Sequence, residues 1–272
     1  MGSERFPISP RLAGAARHAA MPLVCALLFA PFAAFADDSD IQQDATWGIG
    51  LGMASTQKAY IDVDREYTPI PLLHYENKYL RFFGTTLEAK LPNLTLNDTQ
   101  KLRFGLIARY DGAGYDPDDS WALAGMDKRK GGFWAGARVE WRNDLVNLHA
   151  EWTHDISGHS KGQSVRLGAD RTWRLSERIT LTPRIGATWH DDKYVDYYYG
   201  VRAHEVLAWR PAYEGKSGID TEVGVQGVYQ FNKRHSLIVD LKLSRLSSNA
   251  KDSPLVGRST ENRVFLGYMY RF

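Results

Sequence analysis

Several side chains of this sequence are of the types that hydrolyse bonds. Asp118-Asp119, Asp191-Asp192 and the pair His154-Asp155 could activate a water molecule, because a carboxylate or a carboxylate-oriented imidazole is a general base. Ser157, Ser160 and His159 are the types that supply a nucleophile and its base. A working site also needs an orienting group and oxyanion donors within reach. Nothing in the spacing supplies that set, so these residues read as solvated loop groups, or as contacts for divalent ions and lipopolysaccharide. No catalytic residue is expected. The histidines that follow residue 36, namely His74, His149, His154, His159, His190, His204 and His235, are scattered. None forms a tight pair with spacing suited to zinc. No metal and no cofactor are expected.

The elements that carry these residues have a period of two. Leu102, Phe104, Leu106, Ala108 and Tyr110 share one face, and Arg103, Gly105, Ile107 and Arg109 share the other. Strict alternation means a strand between two different environments. The pattern recurs from Phe133 to Trp141, Val146 to Trp152, Val165 to Leu175, Ile179 to Trp189, Leu237 to Leu243 and Val264 to Phe272. Tight polar turns (Arg142-Asn143-Asp144, Ser176-Glu177-Arg178, Asn232-Lys233-Arg234) alternate with long connections (Gly112 to Gly131, Ile156 to Gly162, Asp191 to Ser217, Ser247 to Asn262). Short turns at one end and long loops at the other, with strands near the ten residues a tilted membrane strand needs, predict an all-β, antiparallel transmembrane β-barrel. Its turns would be periplasmic and its loops extracellular. Upstream runs are Trp47 to Ser55, Tyr67 to Tyr75 and Tyr79 to Leu91. Counted from the turns and loops that bound them, the strands total an odd number, whereas bacterial barrels use an even one. Either Tyr79 to Leu91 breaks near Gly84 or a strand is missed; about 12 strands are expected, with 10 the alternative.

Composition agrees. Aromatic residues make up 12% of the chain, with 14 Tyr, 8 Trp and 24 Gly, as suits aromatic girdles at two membrane interfaces. With the greasy face turned to lipid, Arg103, Arg109, Arg138, Glu140, His149, Glu151, Arg166, Asp170, Arg174, Arg184, Glu222, Asp240 and Lys242 point into the lumen. A barrel this small is narrow enough for such side chains to fill it. Charges turned inward must pair, so a network of ion pairs is expected rather than a wide pore.

The beginning of the chain reads as an export signal. Arg5, Arg11 and Arg17 precede an apolar run from Met21 to Phe35, and Ala34-Phe35-Ala36 has the small-x-small form of a cleavage site. The expected organisation is a cleaved signal at 1–36 and the barrel at 37–272. Removing Arg5, Arg11, Arg17 and Glu4 leaves 31 basic and 31 acidic residues, so no global field draws the protein to nucleic acid. Cys25 is the single cysteine and lies inside the signal; bulky Val24 before it argues against lipoprotein processing. Without it, disulfides and thiolate chemistry are excluded.

Two further segments bear on partners. The end of the chain, Gly267-x-x-Tyr270-x-Phe272, carries alternating aromatics and a terminal Phe. It resembles the signal read by the barrel-assembly machinery of Gram-negative bacteria, although Phe265 stands where that signal usually has a polar residue. The segment Asp191 to Ser217 concentrates Tyr197, Tyr198, Tyr199, Trp209 and Tyr213 among charges. Aromatics of this kind form interface cores or plug the mouth of their own barrel; both readings stand. Ala203 to Trp209 is expected to be a short helix.

Short motifs spread over nearly all the mature chain resemble the MipA/OmpV family, the MltA-interacting proteins. They are Tyr67-Thr68-Pro69-Ile70-Pro71-Leu72, Thr182-Pro183-Arg184-Ile185-Gly186-Ala187-Thr188-Trp189, Tyr197-Tyr198-Tyr199-Gly200-Val201, Ser244-Arg245-Leu246 and Asp252-Ser253-Pro254-Leu255-Val256. The order at Arg81-Phe82-Phe83-Gly84 departs from the family pattern. The resemblance implies a non-enzymatic outer-membrane protein of Gram-negative bacteria, in contact with lipid and lipopolysaccharide. It also implies a scaffold that brings a lytic transglycosylase together with a penicillin-binding protein that synthesises murein. The alternative class is a narrow pore or uptake route for small polar solutes or antibiotics.

Overall fold

The computed structural model describes residues 45–272. The expected cleavage site, Ala34 and Ala36, lies outside them. The strand segments are β1 (Thr46–Gln57), β2 (Glu66–Glu76), β3 (Leu80–Phe83), β4 (Thr86–Lys90), β5 (Leu94–Asn97), β6 (Gln100–Asp111), β7 (Gly132–Arg142), β8 (Asn147–Asp155), β9 (Gln163–Asp170), β10 (Trp173–Arg174), β11 (Ile179–His190), β12 (Gly218–Gln230), β13 (His235–Arg245) and β14 (Thr260–Arg271). Two short helices, α1 (Asp192–Tyr199) and α2 (Ser248–Lys251), lie in loops. Every pairing is antiparallel, and β14 returns to β1 with Gly48 opposite Arg271 and Gln57 opposite Asn262. Twelve strands close the ring, because β5 prolongs β4 along the edge of β6 and β10 prolongs β9 along β11. The expected break near Gly84 is where β3 turns into β4, with Gly84 at φ 57° in the left-handed region that glycine enters freely.

The burial pattern sorts the two faces. Leu51, Leu106, Leu167, Ile185, Val223 and Leu266 are exposed on the outside, as lipid contact requires. Aromatics ring both ends of that band. Trp47 packs on Tyr75 at 4.3 Å and Tyr270 on Phe272 at 5.1 Å at the turn end, and Tyr110 on Phe133 at 5.1 Å at the loop end. Among the described residues no helix is long and apolar enough to cross a membrane; the strands do that.

The lumen has an apolar part that alternation alone conceals. Ala54, Ile70, Leu72, Phe83, Val228, Ile238, Phe265 and Met269 form a buried cluster inside the wall built by β12, β13, β14, β1, β2 and β3. The inward row of β1 is Gly48, Gly50, Gly52 and Ala54. These small residues leave room for larger neighbours. A Cβ on Gly52 would lie 2.5 Å from Phe265 Cζ, and one on Gly267 would lie 2.6 Å from the same atom. Phe265 therefore turns inward and occupies space that two facing glycines, paired in register, provide.

Candidate functional site

The rest of the lumen is filled by ion pairs that reach across intervening strands. Arg184 of β11 donates to both oxygens of Asp240 on β13, at 2.7 and 2.9 Å. It crosses β12 at Gly224, where a Cβ would come 2.9 Å from the guanidinium. Arg166 of β9 makes the same kind of two-pronged contact with Glu222 of β12, one bond at 2.9 Å. It crosses β11 beside Gly186. Arg109 meets Glu151, and Arg81 meets Glu88. Toward the turn end lie Arg142–Glu140 at 2.8 Å and Lys90–Glu76 at 2.5 Å. His149 stands 3.6 Å from Asp170. Guanidinium–carboxylate forks are the geometry that best offsets the cost of burying charge. Most of the residues expected to face inward meet in this network. Arg174 does not; β10 ends the wall at the turn-end rim, and Arg174 is exposed there.

The loop end is roofed. The loops between β1 and β2, β6 and β7, β11 and β12, and β13 and β14 share a second buried cluster, which includes Tyr60, Val63, Tyr115, Leu123, Val195, Tyr198, Tyr199 and Leu255. Helix α1 organises it. Asp191 caps its start by accepting the Tyr194 N–H at 2.9 Å. Val195, Tyr198 and Tyr199, three and four residues apart, form its buried face. The sequence by itself leads to a helix at Ala203 to Trp209. Only a single 3-10 turn, Ala203–Glu205, forms there, and the tyrosine run is helical instead, because the cap and the buried face coincide on it.

The tyrosines of that segment are engaged. Tyr60 OH donates to Tyr198 O at 3.1 Å, Tyr198 OH to Lys130 O at 3.3 Å and Tyr213 OH to Asn249 O at 2.6 Å. Tyr197 OH accepts the Lys130 N–H at 2.8 Å. Trp209 stays exposed, packed at a tilt against Trp121 with ring centroids 4.9 Å apart. Burial pushes the phenols of Tyr60, Tyr194, Tyr198 and Tyr199 up, so they remain neutral donors and cannot act as bases.

One buried carboxylate clasps two loops. Glu205 accepts Arg129 Nη2 on both of its oxygens, at 2.8 and 2.9 Å, and the backbone N–H groups of Asp127 and Arg202 at 2.9 and 2.8 Å. Arg210, also buried, donates to the carbonyls of Ala122, Ala124 and Glu205. Burial pushes the Glu205 carboxyl up, but the two N–H bonds and the Arg129 charge outweigh it and hold it below the usual carboxylate range. Asp127, His204 and Glu205 lie close enough to suggest a metal. Arg129 and Arg202 already neutralise those carboxylates, so the group is an ion-pair knot.

The residues that suggested hydrolysis do other work. Asp155 accepts from the N–H and hydroxyl of Ser157, both from Ser160, and the N–H of Lys161. It folds its own loop. His159 Nδ1 lies 2.8 Å from the Gly131 carbonyl, a contact that requires the proton on Nδ1, so that nitrogen cannot take one from Ser157. Asp191 is the helix cap, and Asp119 accepts the Asp116 N–H at 2.8 Å in a capping turn. Ser157, Ser160, Asp155 and Asp191 thus serve loop geometry.

At the turn end, Gly267, Tyr270 and Phe272 fall on one strand with different faces. Gly267 seats Phe265 inside, while Tyr270 and Phe272 lie in the outer row. Nearby, β5 bonds only to β6; its other edge has no strand against it among the described residues, and all four of its residues are exposed.

Comparison with known proteins follows the fold. Residues 49–272 match the family model described as MltA-interacting protein MipA. The outer membrane protein YiaT of Escherichia coli K12 is 25% identical, over 92% of this chain and 98% of that protein. OmpV of Vibrio cholerae is 24% identical over 84% of this chain and 88% of its own length. The protein of E. coli K12 named MltA-interacting protein is 24% identical over 84% of this chain and 91% of its own. Among solved structures, an outer membrane channel from Pseudomonas putida F1 covers 87% of this chain and all of its own, at 13% identity and a TM-score of 0.44; at that score it adds nothing to the barrel already described.

Proposed function

This chain belongs to the MipA family of MltA-interacting proteins, an outer-membrane barrel family, and on that premise we propose that it is a scaffold of the cell envelope without chemistry of its own. Its partners would be a lytic transglycosylase and a penicillin-binding protein, held close together at the inner face of the outer membrane. The observation that carries this reading is the obstructed lumen. Ion pairs cross the interior and a tyrosine-rich loop bundle roofs one end, leaving no wide passage among the described residues, so what this barrel offers a protein partner is its outer surface.

The packing favours the plug reading of the segment from Asp191 to Ser217, since Tyr198 and Tyr199 are spent on the roof. In a barrel of this kind long loops face outward and short turns face the periplasm, where murein lies. The partner surface therefore belongs at the turn end. The open edge of β5 suits it, because an extended segment of a partner can add to an unpaired strand. The end of β14, with Gly267, Tyr270 and Phe272, is read as the signal for the assembly machinery.

The test is affinity capture from envelope extract with the mature barrel in detergent. A transglycosylase or penicillin-binding protein should be recovered. Thr95→Pro, which removes a backbone donor in β5, should reduce recovery at least tenfold. Deletion of residues 203–209 at the roof should leave it unchanged. Capture of neither enzyme by the intact barrel sinks the scaffold reading; equal capture by the Thr95→Pro protein moves the contact away from β5. A narrow solute route is the competing reading, and it requires the lumenal pairs to part.

A further inference from the structure

Beneath the roof the barrel keeps a cavity of about 220 Å³. A water needs roughly 10–15 Å³ by this measure, so the space admits a small organic molecule. Tyr60, Tyr194 and Tyr198 cover it, and threonine and serine hydroxyls line its walls.

Part of its lining is already paired: Arg109 meets Glu151 and Arg166 meets Glu222 on its wall, and Arg184 meets Asp240 outside it. Other charged groups that line it are not paired in this way. In the cavity, Lys242 has no hydrogen bond or ion pair among the described residues, although it faces the space. Arg263 is buried to 5% exposure, makes one long contact with Asp240 at 3.5 Å, and leaves its Nε without a partner. Lys242 and Arg263 sit opposite one another in register on β13 and β14. One inward row higher, about 6.6 Å along the strand, Glu261 accepts the Ala59 N–H, at 3.1 Å. Asp220 at the same end accepts the Ser247 N–H at 2.8 Å and stands 3.7 Å from His190. Asp111, across the barrel, accepts the Ala113 N–H at 2.9 Å. Among the described residues none of these three carboxylates has a lysine or arginine within ion-pair distance.

The cavity is therefore bipolar, with the unbonded Lys242 and the weakly paired Arg263 at its floor and carboxylates that meet no lysine or arginine at ion-pair distance around its upper wall. Enclosed charges of this kind are costly unless something of opposite sign meets them. A polyamine would set charge against Lys242 and Arg263. A dicarboxylate would face Glu261 and Asp220. A neutral sugar would leave both sets unmatched. We propose that the cavity binds a small zwitterion whose ammonium and carboxylate stand several ångströms apart, of the class of ω-amino acids and dipeptides. The carboxylate docks on Lys242 and Arg263, and the ammonium lies among Glu261, Asp220 and Asp111. This site does not depend on the scaffold reading, because it lies at the opposite end of the barrel from β5.

The experiment is calorimetric titration of the full mature barrel in detergent with γ-aminobutyrate, glycylglycine, putrescine, succinate and glucose. At least one zwitterion should bind saturably, and at least tenfold more tightly than the other three compounds. Lys242→Met and Glu261→Gln should each weaken that binding at least tenfold while the barrel keeps its heat-dependent shift in gel mobility. The proposal is overturned if neither zwitterion saturates, if putrescine or succinate binds equally well, or if both folded variants bind like the parent. Should a variant fail to fold, the ligand panel on the parent protein decides alone. Enzyme capture run in parallel separates failure of this site from failure of the scaffold.

Discussion

Asp240 is buried to 1% exposure and is held by both nitrogens of the Arg184 fork. A buried pair is a poor source of net stability, yet breaking one is costly because the survivor stays desolvated. Arg184→Leu should cost about 3–5 kcal/mol, read as a lower urea midpoint in detergent. The double change Arg184→Leu with Asp240→Leu should recover most of that loss. Equal damage from single and double changes would mean that Arg184 matters for its packing. Glu205 obeys the same physics in a loop. Its carboxyl titrates below the usual range, so its stabilisation is complete above the unfolded value of about 4.3 and is lost as pH falls through the folded one. Hydrogen-exchange protection at the Asp127 and Arg202 amides, taken relative to the intrinsic rate at each pH, should therefore fall in acid. In Glu205→Gln protection should be low at pH 7 already and change little below; an acid response kept by that variant would assign the clasp elsewhere.

At the scale of elements, the seam between β14 and β1 depends on the absence of two side chains. Gly52→Val puts carbon where the Phe265 ring lies, and overpacking of this kind costs about 1–3 kcal/mol. The variant should fold more slowly into vesicles, by the gel-mobility shift, and Phe265→Ala should restore part of the rate. No rescue would mean that Gly52 is needed for the backbone itself. Helix α1 illustrates the converse, since its position comes from its surroundings. A segment of eight residues is too short to be helical alone in water. The Asp191 cap and the cluster around Tyr60 and Leu255 hold it.

At the scale of the molecule, the barrel is closed at its seam, filled in its middle and roofed at its loop end. In planar bilayers it should show little or no single-channel conductance at neutral pH. Deleting residues 203–209 should not open it, because the pairs of Arg166 and Arg184 remain. Combining that deletion with Arg166→Ala and Glu222→Ala should produce measurable steps. Large steps from the unaltered protein would mean that the lumenal pairs part readily, and would favour a solute route.

What could be read from the chain is what depends on neighbours along it. Alternation of Leu102 to Tyr110 and its repeats showed strands with a greasy and a charged face, and the spacing of turns showed a barrel with long loops at one end. Strand number was legible once Gly84 was taken as a break, because glycine punctuates local structure. The short motifs pointed to the family that the match over residues 49–272 shows. Tertiary structure decided what depends on distance across the barrel. Which arginine meets which carboxylate is set by strand order, register and a glycine on the strand between, as at Arg184, Gly224 and Asp240. Phe265 breaks the expected polar row because Gly52, from the other end of the chain, makes room for it. The tyrosine roof and the unmatched Lys242 emerge only when loops and strands far apart in sequence close on one space, and no periodicity along the chain records that closure.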